Sequence, residues 1–457
     1  MTIKKFVASQ CGAVLDSDVH GGGGTDDTAA IQGILDIAQK DGVGVHLIMD
    51  GAALITGIKV YSDTVIECPT PSCGFFLADG SDCAIVSNAN MTKRHTDGKY
   101  SYDDIEDQNI SLIGGTYNHN CRGQKHDVPR PEGGCDFTVA FWFVGIRNLL
   151  IRDVNIIDQR TFTGLFVNWE RVNIDSVHID LPHKEHYQNQ DGFHFFGPGR
   201  YLNIHNLSGN AGDDFLAIAP DEADGVSDIS DIMIDGIHLE DADQGIRLLV
   251  HKNGRLDRVT IKNVDGTYRS FGFFINPFFP DGVTERGGYG DIIFDTVNLH
   301  QTEVDYTYTD NFLFRIGGHI DHITLRNIYS ISPGDARTLI QLGWQAEDDA
   351  HVGEHNRTEV GSMLLDGLEV LQNKKDCEEF ESMSFMEIKH SNINRLCLRN
   401  VNVVRTDDTK GGNLIKLLDG VKIKKLDLFD IDADGLDELV NGQGDIEKIN
   451  TDNVCID

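Results

Sequence analysis

Two short acidic motifs hold the side chains best suited to chemistry. The first spans residues 188–194 (QNQDGFH) and contains Asp191, and the second spans 209–218 (GNAGDDFLAI) and contains Asp213 and Asp214. Cleavage of a glycosidic bond needs such carboxylates, because one protonates the leaving oxygen while another activates water or attacks the sugar carbon. Crowding of like charges keeps one carboxyl protonated and so creates the proton donor. The motifs predict an acid–base site.

The segments that must position these carboxylates form a repeat. After about residue 109, an apolar residue, two polar or small residues, an apolar residue, a spacer and an apolar residue recur. The pattern reads IRDVNI at 151–156 and IDSVHI at 174–179, and successive copies begin 23 to 40 residues apart. A period of this size marks a solenoid, in which each coil buries its apolar face on the next. Because stacked strands lie about 4.8 Å apart, carboxylates one coil apart should converge on one face.

The repeat predicts an all-β fold, a single right-handed parallel β-helix of roughly 10–13 coils. We expect one domain over 1–457, with the main coils at 109–457, and the usual right-handed crossover sets the hand. Irregular coil lengths argue against leucine-rich repeats, and a propeller would need four strands per blade. Asn-Val pairs at Asn263, Asn400 and Asn453 predict turns in which Asn is left-handed and Val points inward.

The open end of a solenoid needs a cap, and residues 25–40 (TDDTAAIQGILDIAQK) predict a capping helix. Thr25 is the expected N-cap, and Ile31, Leu35 and Ala38 would share the buried face. The glycine run before this helix lacks the GK[ST] ending of a phosphate loop. Polar segments at 91–108, 118–136 and 344–358 predict loops that project from the coils and wall a cleft.

Composition excludes several classes of protein. A net charge of −34 disfavours nucleic-acid binding and long polyanionic substrates, and it suits a solvated surface. No apolar run approaches the ~18 residues of a membrane span. Without a recognisable signal segment we expect a cytoplasmic protein, with a secreted mature form as the alternative. The nine cysteines show no repeated spacing, which favours reduced structural thiols over the alternative of a few disulfides.

The acidic motifs also resemble those of a known family. Asn-x-Asp-Gly at 189–192 and Gly-Asp-Asp at 212–214 are similar to two motifs of glycoside hydrolase family 28, the polygalacturonases and their relatives. Residues 161–177 resemble the preceding coil of that family, and 24–32 resemble the cap of the wider pectin-lyase-like superfamily of right-handed parallel β-helices. The similarity covers the cap and roughly residues 109–270, and the later coils are generic.

The resemblance implies roles for the three aspartates. Asp213 would be the general acid, while Asp191 and Asp214 would activate water in a single inverting displacement without metal or cofactor. Inversion requires about 6.5–9.5 Å between the acid and the base. Consecutive residues of a regular strand face opposite sides, so a bend at Gly212 must let both Asp213 and Asp214 reach the cleft.

The chain departs from the family pattern in the next coil. Gln244 stands where the family's Gly-His-Gly has its histidine, and the following Arg-x-Lys is missing. The basic candidates for substrate binding are Arg247, His251, Lys252 and Arg269. Their number and the charge of −34 favour a neutral or differently decorated oligosaccharide over galacturonan, although Arg247 or Arg269 could still hold a carboxylate bidentately.

Other side chains flank the acidic motifs. His194 is predicted to line the site, whereas a metal bound by His183 and His186 is not expected, because matched carboxylates are missing. Trp142 and Trp169 precede the acidic coils and either stack on sugar or pack in the core. The phenylalanine-rich run at 271–279 (FGFFINPFF) suggests a cleft wall, a subunit contact in a homo-oligomer, or core.

Three functional hypotheses follow. The first is a glycosidase acting on a carbohydrate substrate. The second is a uronic-acid lyase or epimerase, which needs a base for the C5 proton and a cation or arginine for the enolate. The third is a non-catalytic carbohydrate-binding or structural β-helix, because a fold does not fix a function.

Overall fold

The structure is a computed structural model. It describes residues 2–91, 100–131, 133–184, 189–223, 226–250, 252–277, 287–302, 312–333, 338–343, 357–373, 384–405 and 411–456. The chain divides into two compact units, Met1–Ile218 and Ala219–Asp457. Within the described residues, no helix is both long and apolar enough to cross a membrane. Every cysteine in these ranges is a free thiol.

Among the residues that the structure describes, helices are few and lie in the first unit. They are α1 (Thr28–Leu35) and α2 (Ile37–Asp41), with short 3₁₀ turns at Ala8–Cys11, Tyr102–Asp104 and Cys121–Gly123. Ile31, Leu35 and Ala38 are buried, as the cap prediction required.

The predicted N-cap of the first helix is wrong. The amide of Thr25 donates to Asp16 Oδ1 at 2.7 Å, so Thr25 belongs to the preceding turn. The N-cap position is Asp27. Its carboxylate accepts the amides of Val14 and Leu15, at 2.7 and 2.8 Å, and not those of the helix. Bonds with a segment nine to thirteen residues earlier therefore set where this helix begins.

The first unit is a stack of parallel strands. The strands between residues 3 and 209 pair in parallel, except that Asp127–Pro129 and Cys135–Phe137 form a small antiparallel hairpin, which extends one residue beyond the loop predicted at 118–136. Phe166 stacks on Phe143 and on Phe195, with ring centroids 5.9 and 4.6 Å apart, so aromatic rings from successive coils stack in the core. The strands are β1 (Ile3–Val7), β2 (Gly44–Ile48), β3 (Ala52–Ile55), β4 (Ile58–Val60), β5 (Thr64–Glu67), β6 (Gly74–Leu77), β7 (Val86–Asn88), β8 (Asp107–Ile113), β9 (Thr116–Asn118), β10 (Asp127–Pro129), β11 (Cys135–Phe137), β12 (Phe141–Arg152), β13 (Asn155–Ile157), β14 (Gly164–Asp180), β15 (Phe193–Gly209) and β16 (Asp214–Ala219).

The second unit repeats the arrangement, again with parallel pairings. Phe273 stacks on Phe314, with ring centroids 4.5 Å apart, and Phe271 and Phe274 are also fully buried. The phenylalanine-rich run is therefore core as far as residue 274. Its last two members, Phe278 and Phe279, lie outside the described residues. The strands are β17 (Ile229–Val250), β18 (Arg255–Pro277), β19 (Gly288–Gln301), β20 (Phe312–Ile316), β21 (His319–Pro333), β22 (Thr338–Leu342), β23 (Thr358–Asn373), β24 (Ser384–Ile388), β25 (Ser391–Arg405), β26 (Asn413–Leu417), β27 (Lys422–Ile423), β28 (Leu426–Asp434), β29 (Glu438–Gly442), β30 (Asp445–Ile446) and β31 (Ile449–Cys455).

Asparagines make the corners between strands. Asn263, Asn400 and Asn453 have φ of 56°, 53° and 51°, the left-handed conformation that the sequence predicts. Val264 and Val401 behind them are buried, at 1% and 2% exposure. The prediction of a right-handed parallel β-helix is confirmed as the fold class.

Candidate active site

The backbone brings Asp191 and Asp214 to neighbouring coils of the first unit. The amide of Gly192 donates to the carbonyl of Asp214 at 2.9 Å, and the amide of Thr163 donates to the carbonyl of Asp191 at 2.9 Å. A Cβ at Gly192 would lie 2.0 Å from the carbonyl oxygen of Phe215, so only glycine permits this close approach. The two carboxylates thus leave coils that are roughly 4.8 Å apart.

Asp191 pairs with a histidine on its own coil. His194 Nδ1 lies 3.0 Å from Asp191 Oδ2, and the residues are 6% and 2% exposed. The imidazole is held edge-on by Phe162 and Phe196, with ring centroids 5.2 and 4.7 Å away. With Asp191 ionised, Nδ1 carries the proton and donates it, which leaves Nε2 as an acceptor. The pair is therefore a fixed carboxylate–imidazole contact in a largely dry setting.

Asp213 and Asp214 differ sharply in environment. Asp214 is the first residue of β16 and is 3% exposed. Asp213 is half-buried in the bend before β16, and its carboxylate accepts the amides of Asn189 at 3.1 Å and of Asp214 at 3.0 Å. Two N–H donors stabilise an ionised carboxylate. Asp213 therefore ties the two acidic motifs together.

One row of side chains extends along the outer face from the histidine. Trp142 pairs in register with Leu165, and Leu165 pairs with His194. Trp142 and Leu165 are half-buried, so part of this row faces solvent. The Cα atoms of Trp142 and His194 lie two strand spacings, about 10 Å, apart. Of the two tryptophans that precede the acidic coils, Trp142 is therefore the one that keeps exposed surface in the row of His194.

Trp169 cannot play that part. It is fully buried, its indole N–H donates to the carbonyl of Phe196 at 3.0 Å, and its ring packs against Phe195 at 5.4 Å. Its assignment to substrate binding is corrected: the side chain is core, and an indole without exposed surface has no face for a ligand.

The basic candidates and Gln244 lie in the second unit. Gln244 is 1% exposed and pairs in register with Phe271. The guanidinium of Arg247 lies over the ring of Phe274 at 5.1 Å. Arg269 Nη1 bonds the fully buried Asp243 at 2.8 Å, so a carboxylate of the protein already occupies this arginine. Lys252 lies in a turn fixed by Asp221, and His251 lies outside the described residues.

Of the two histidines considered as metal ligands, the structure describes only His183. His183 Nδ1 bonds Asp158 Oδ1 at 2.8 Å, and His186 lies outside the described residues. In the described part of the chain, no group of three or more histidine, cysteine or acidic side chains could hold a metal.

The Cys68 thiol is structural in character. Burial, with the charge of Cys73, raises its pKa to about 12, so it stays protonated at neutral pH.

Two buried glutamines near Asp191 escaped the sequence analysis. Gln190 Nε2 makes only long contacts, 3.3 Å to the carbonyl of Gln159 and 3.6 Å to Cys121 Sγ. The amide of Gln159 is fully buried, and neither of its polar atoms has a hydrogen-bond partner among the described residues. The position of Gln190 directly before Asp191 was the available signal.

Comparison with known proteins supports the fold. No family model and no curated protein matches the chain. The structure of DFA-IIIase from Arthrobacter chlorophenolicus A6, without its lid and in complex with GF2, matches at a TM-score of 0.53 and 11% identity, over 89% of this chain and 97% of that one. The N-terminal fragment of bacteriophage Phi29 gene product 12 matches at 0.52 and 13%, over 98% and 71%.

A family 28 exopolygalacturonase of Yersinia enterocolitica also matches, at a TM-score of 0.48 and 13% identity, over 98% of this chain and 78% of that one. At such identities the likeness shows the fold alone. The chain is a β-helix of the kind found in these structures, and its activity must be argued from its own residues.

Proposed function

We propose that the chain is a glycoside hydrolase that cleaves an O-glycosidic bond at the acidic site of its first unit. One observation carries the proposal: two buried carboxylates, Asp191 and Asp214, leave adjacent hydrogen-bonded coils, and one of them is paired with the buried His194. Acid and base groups held one coil apart are what hydrolysis of an acetal requires.

Burial and the histidine together divide the roles. Burial disfavours the charged form of both carboxylates, and each adds to the cost of ionising the other. Because the bond from His194 favours the ionised form of Asp191, we assign Asp214 as the general acid that protonates the leaving oxygen. The Asp191–His194 pair takes the proton of the attacking water.

Asp213 holds the turn in this scheme. The resemblance gives it the acid role, but its two backbone N–H partners favour the ionised carboxylate, and an acid must carry a proton. We therefore assign that role to Asp214. A single inverting displacement is retained, and proton NMR of the first-formed anomer tests it.

The charge of −34 and the half-buried Trp142 favour a neutral or weakly charged oligosaccharide at this site. Such a substrate avoids repulsion by the surface and offers C–H faces to the indole.

Incubation with a panel of oligosaccharides, followed by chromatography of the products, tests the proposal. Asp191→Asn and Asp214→Asn should each reduce kcat by at least about a hundredfold. Asp153→Asn, at an exposed corner of the same unit, is the matched control and should leave kcat unchanged. Full activity in Asp214→Asn would remove it from the mechanism. An unsaturated product absorbing in the ultraviolet would replace hydrolysis by elimination.

A second candidate function is favoured by the burial itself. Exposures of 2% and 3% leave little of Asp191 and Asp214 for a substrate to reach, as expected of a carbohydrate-binding β-helix without turnover. Calorimetric binding of an oligosaccharide that is never cleaved, unchanged in both aspartate variants, would decide for this function.

A further inference from the structure

Three arginines of the first unit surround one glutamate. Glu170 Oε2 accepts a bond from Arg147 Nε at 2.6 Å, and Oε1 accepts from Arg171 Nη1 at 2.6 Å and Arg200 Nη2 at 3.0 Å. The Glu170 side chain is 5% exposed, whereas those of the arginines are 35%, 51% and 38% exposed. We call these four residues the arginine corner.

The coil register builds the arginine corner. Arg147 pairs with Glu170, and Glu170 pairs with Arg200, so the three lie on successive coils at the same corner. Arg171 follows Glu170 in a left-handed conformation, with φ of 60°. Burial alone would raise the pKa of Glu170, but the bond from Arg147 and the charges of all three arginines hold that pKa below its ordinary value. The glutamate is ionised and central.

The arginine corner carries more positive charge than its glutamate neutralises. At two other corners of the described chain, those of Arg258 and Arg399, the arginine is balanced by carboxylates. Arg258 bonds both Asp231 and Asp257, at 2.7 and 2.6 Å, and Arg399 bonds Asp366 at 2.6 Å. At the arginine corner, by contrast, three guanidinium groups share one carboxylate, so two positive charges are not neutralised by Glu170. The excess is unusual on a chain of net charge −34.

Two aromatic rings border the guanidinium groups. Arg200 Cζ lies 4.3 Å from the ring centre of Tyr102 and 5.8 Å from that of Tyr201, and Arg171 Cζ lies 5.1 Å from that of Tyr201. Tyr201 is 41% exposed. The turn that presents Tyr102 is fixed to β14 by a bond from Asn168 Nδ2 to the carbonyl of Ser101 at 3.0 Å. Its acidic Asp104 accepts the Ser101 amide, within the same turn.

We propose that the arginine corner is a second binding site, which takes an oxyanion group, sulfate, phosphate or carboxylate, carried by a saccharide. Guanidinium groups offer paired N–H donors that match the oxygens of such groups, and the exposed face of Tyr201 offers a surface to the adjoining ring. The saccharide part rests on the proposed function, whereas the oxyanion site stands on the arginine corner alone.

Isothermal titration calorimetry at low salt tests the site with defined probes: inorganic sulfate, inorganic phosphate, a sulfated tetrasaccharide, its desulfated but still carboxylated counterpart, and a neutral gluco-tetrasaccharide. We expect the anionic probes to bind and the neutral one not to bind at this site. The sulfated and desulfated arms tell sulfate from carboxylate, and the inorganic ions alone test the oxyanion part. Binding should weaken as NaCl is raised, because salt screens exposed charges.

Variants locate the binding. Arg171→Gln, at the most exposed arginine, should weaken the anionic probes by about tenfold, the loss expected for one charge-assisted pair. Arg200→Lys keeps the charge but loses the planar fork, and should also weaken them. Arg258→Gln is the matched control, because Arg258 is also left-handed, with φ of 53°, but is neutralised by two aspartates.

Three results would distinguish the oxyanion site, its saccharide part and the proposed active site. Equal binding by Arg171→Gln and wild type, or no heat with any anionic probe, would overturn the site. Binding of the inorganic ions without the saccharides would refute the saccharide part. Asp214→Asn should bind the anionic probes normally, so loss of turnover with retained binding separates this site from the proposed active site.

Discussion

At the scale of single residues, burial decides which titratable groups carry charge. His119 is fully buried, its Nδ1 accepts the amide of Arg160 at 3.0 Å, and its Nε2 lies 3.1 Å from the carbonyl of Cys83. These bonds fit a neutral ring protonated at Nε2. Burial and the charge of Arg160 lower the pKa of His119 to about 4, although the bond to Cys83 opposes them.

This histidine should make stability depend on pH. Its pKa is lower in the folded than in the unfolded chain, so acid favours unfolding: the contribution is complete above about pH 6.5 and is lost as pH falls to about 4, a change of order 3 kcal/mol. Urea unfolding at pH 7 and pH 5 measures it. His119→Gln should flatten the loss. His238→Gln, at an exposed histidine, should not, and an unchanged slope in His119→Gln would refute the account.

Asp213 allows a second test among single residues. Its carboxylate accepts two amides, and an asparagine has one oxygen to offer, so one N–H would face an NH₂ group. We expect Asp213→Asn to lower the free energy of unfolding by about 1–3 kcal/mol and to impair activity through the loosened turn. Asp214→Asn should impair activity without this loss of stability. The reverse pattern, a stable but inactive Asp213→Asn, would restore the acid role to Asp213.

At the scale of elements, the corners of the coils are the parts that the sequence determines most directly. An Asn-Val pair specifies a left-handed residue followed by an inward one, and both requirements are local, so the corners at Asn263 and Asn400 were predictable. The start of α1 was not, because Asp16 and Asp27 bond residues nine and twelve positions away, which lies outside the four-residue window of a local capping motif. The arginine corner could not be predicted either. Its residues meet only through the pairing register of successive coils, and the coils differ in length, so the sequence does not show which residues align.

A corner asparagine should contribute twice to stability. Asn400 has φ of 53° and donates from Nδ2 to Asp366 at 2.7 Å. Asn400→Ala loses the bond and forces a Cβ-bearing residue without local compensation into the left-handed region, at about 2 kcal/mol in all. Asn400→Gly relieves the backbone and loses only the bond, so it should fall between alanine and wild type in urea midpoint. Equal midpoints for alanine and glycine would show that φ contributes nothing.

At the scale of the whole molecule, the fold class and the acidic motifs could be predicted, because each coil of a solenoid repeats the same apolar pattern in the sequence. Which face a side chain takes was less readable. Trp142 and Trp169 both precede acidic coils, yet one lies in a half-buried row with His194 and the other is core. Leu165 of that row and Trp169 lie four residues apart on β14, and the left-handed Asn168 between them, with φ of 53°, breaks the alternation of faces, an irregularity that the apolar pattern alone does not reveal.

The charge of −34 gives the last prediction, in which salt acts in opposite directions on folding and on binding. Like charges repel within the folded chain, and raising ionic strength from 0.01 M to 0.15 M shortens the screening length from about 30 to about 8 Å. The Tm should therefore rise with NaCl, while oxyanion binding at the arginine corner weakens. Sucrose at matched osmolality controls for solvent exclusion. A Tm that falls with salt would mean that the local ion pairs, such as those of Glu170 and Asp427, outweigh the repulsion.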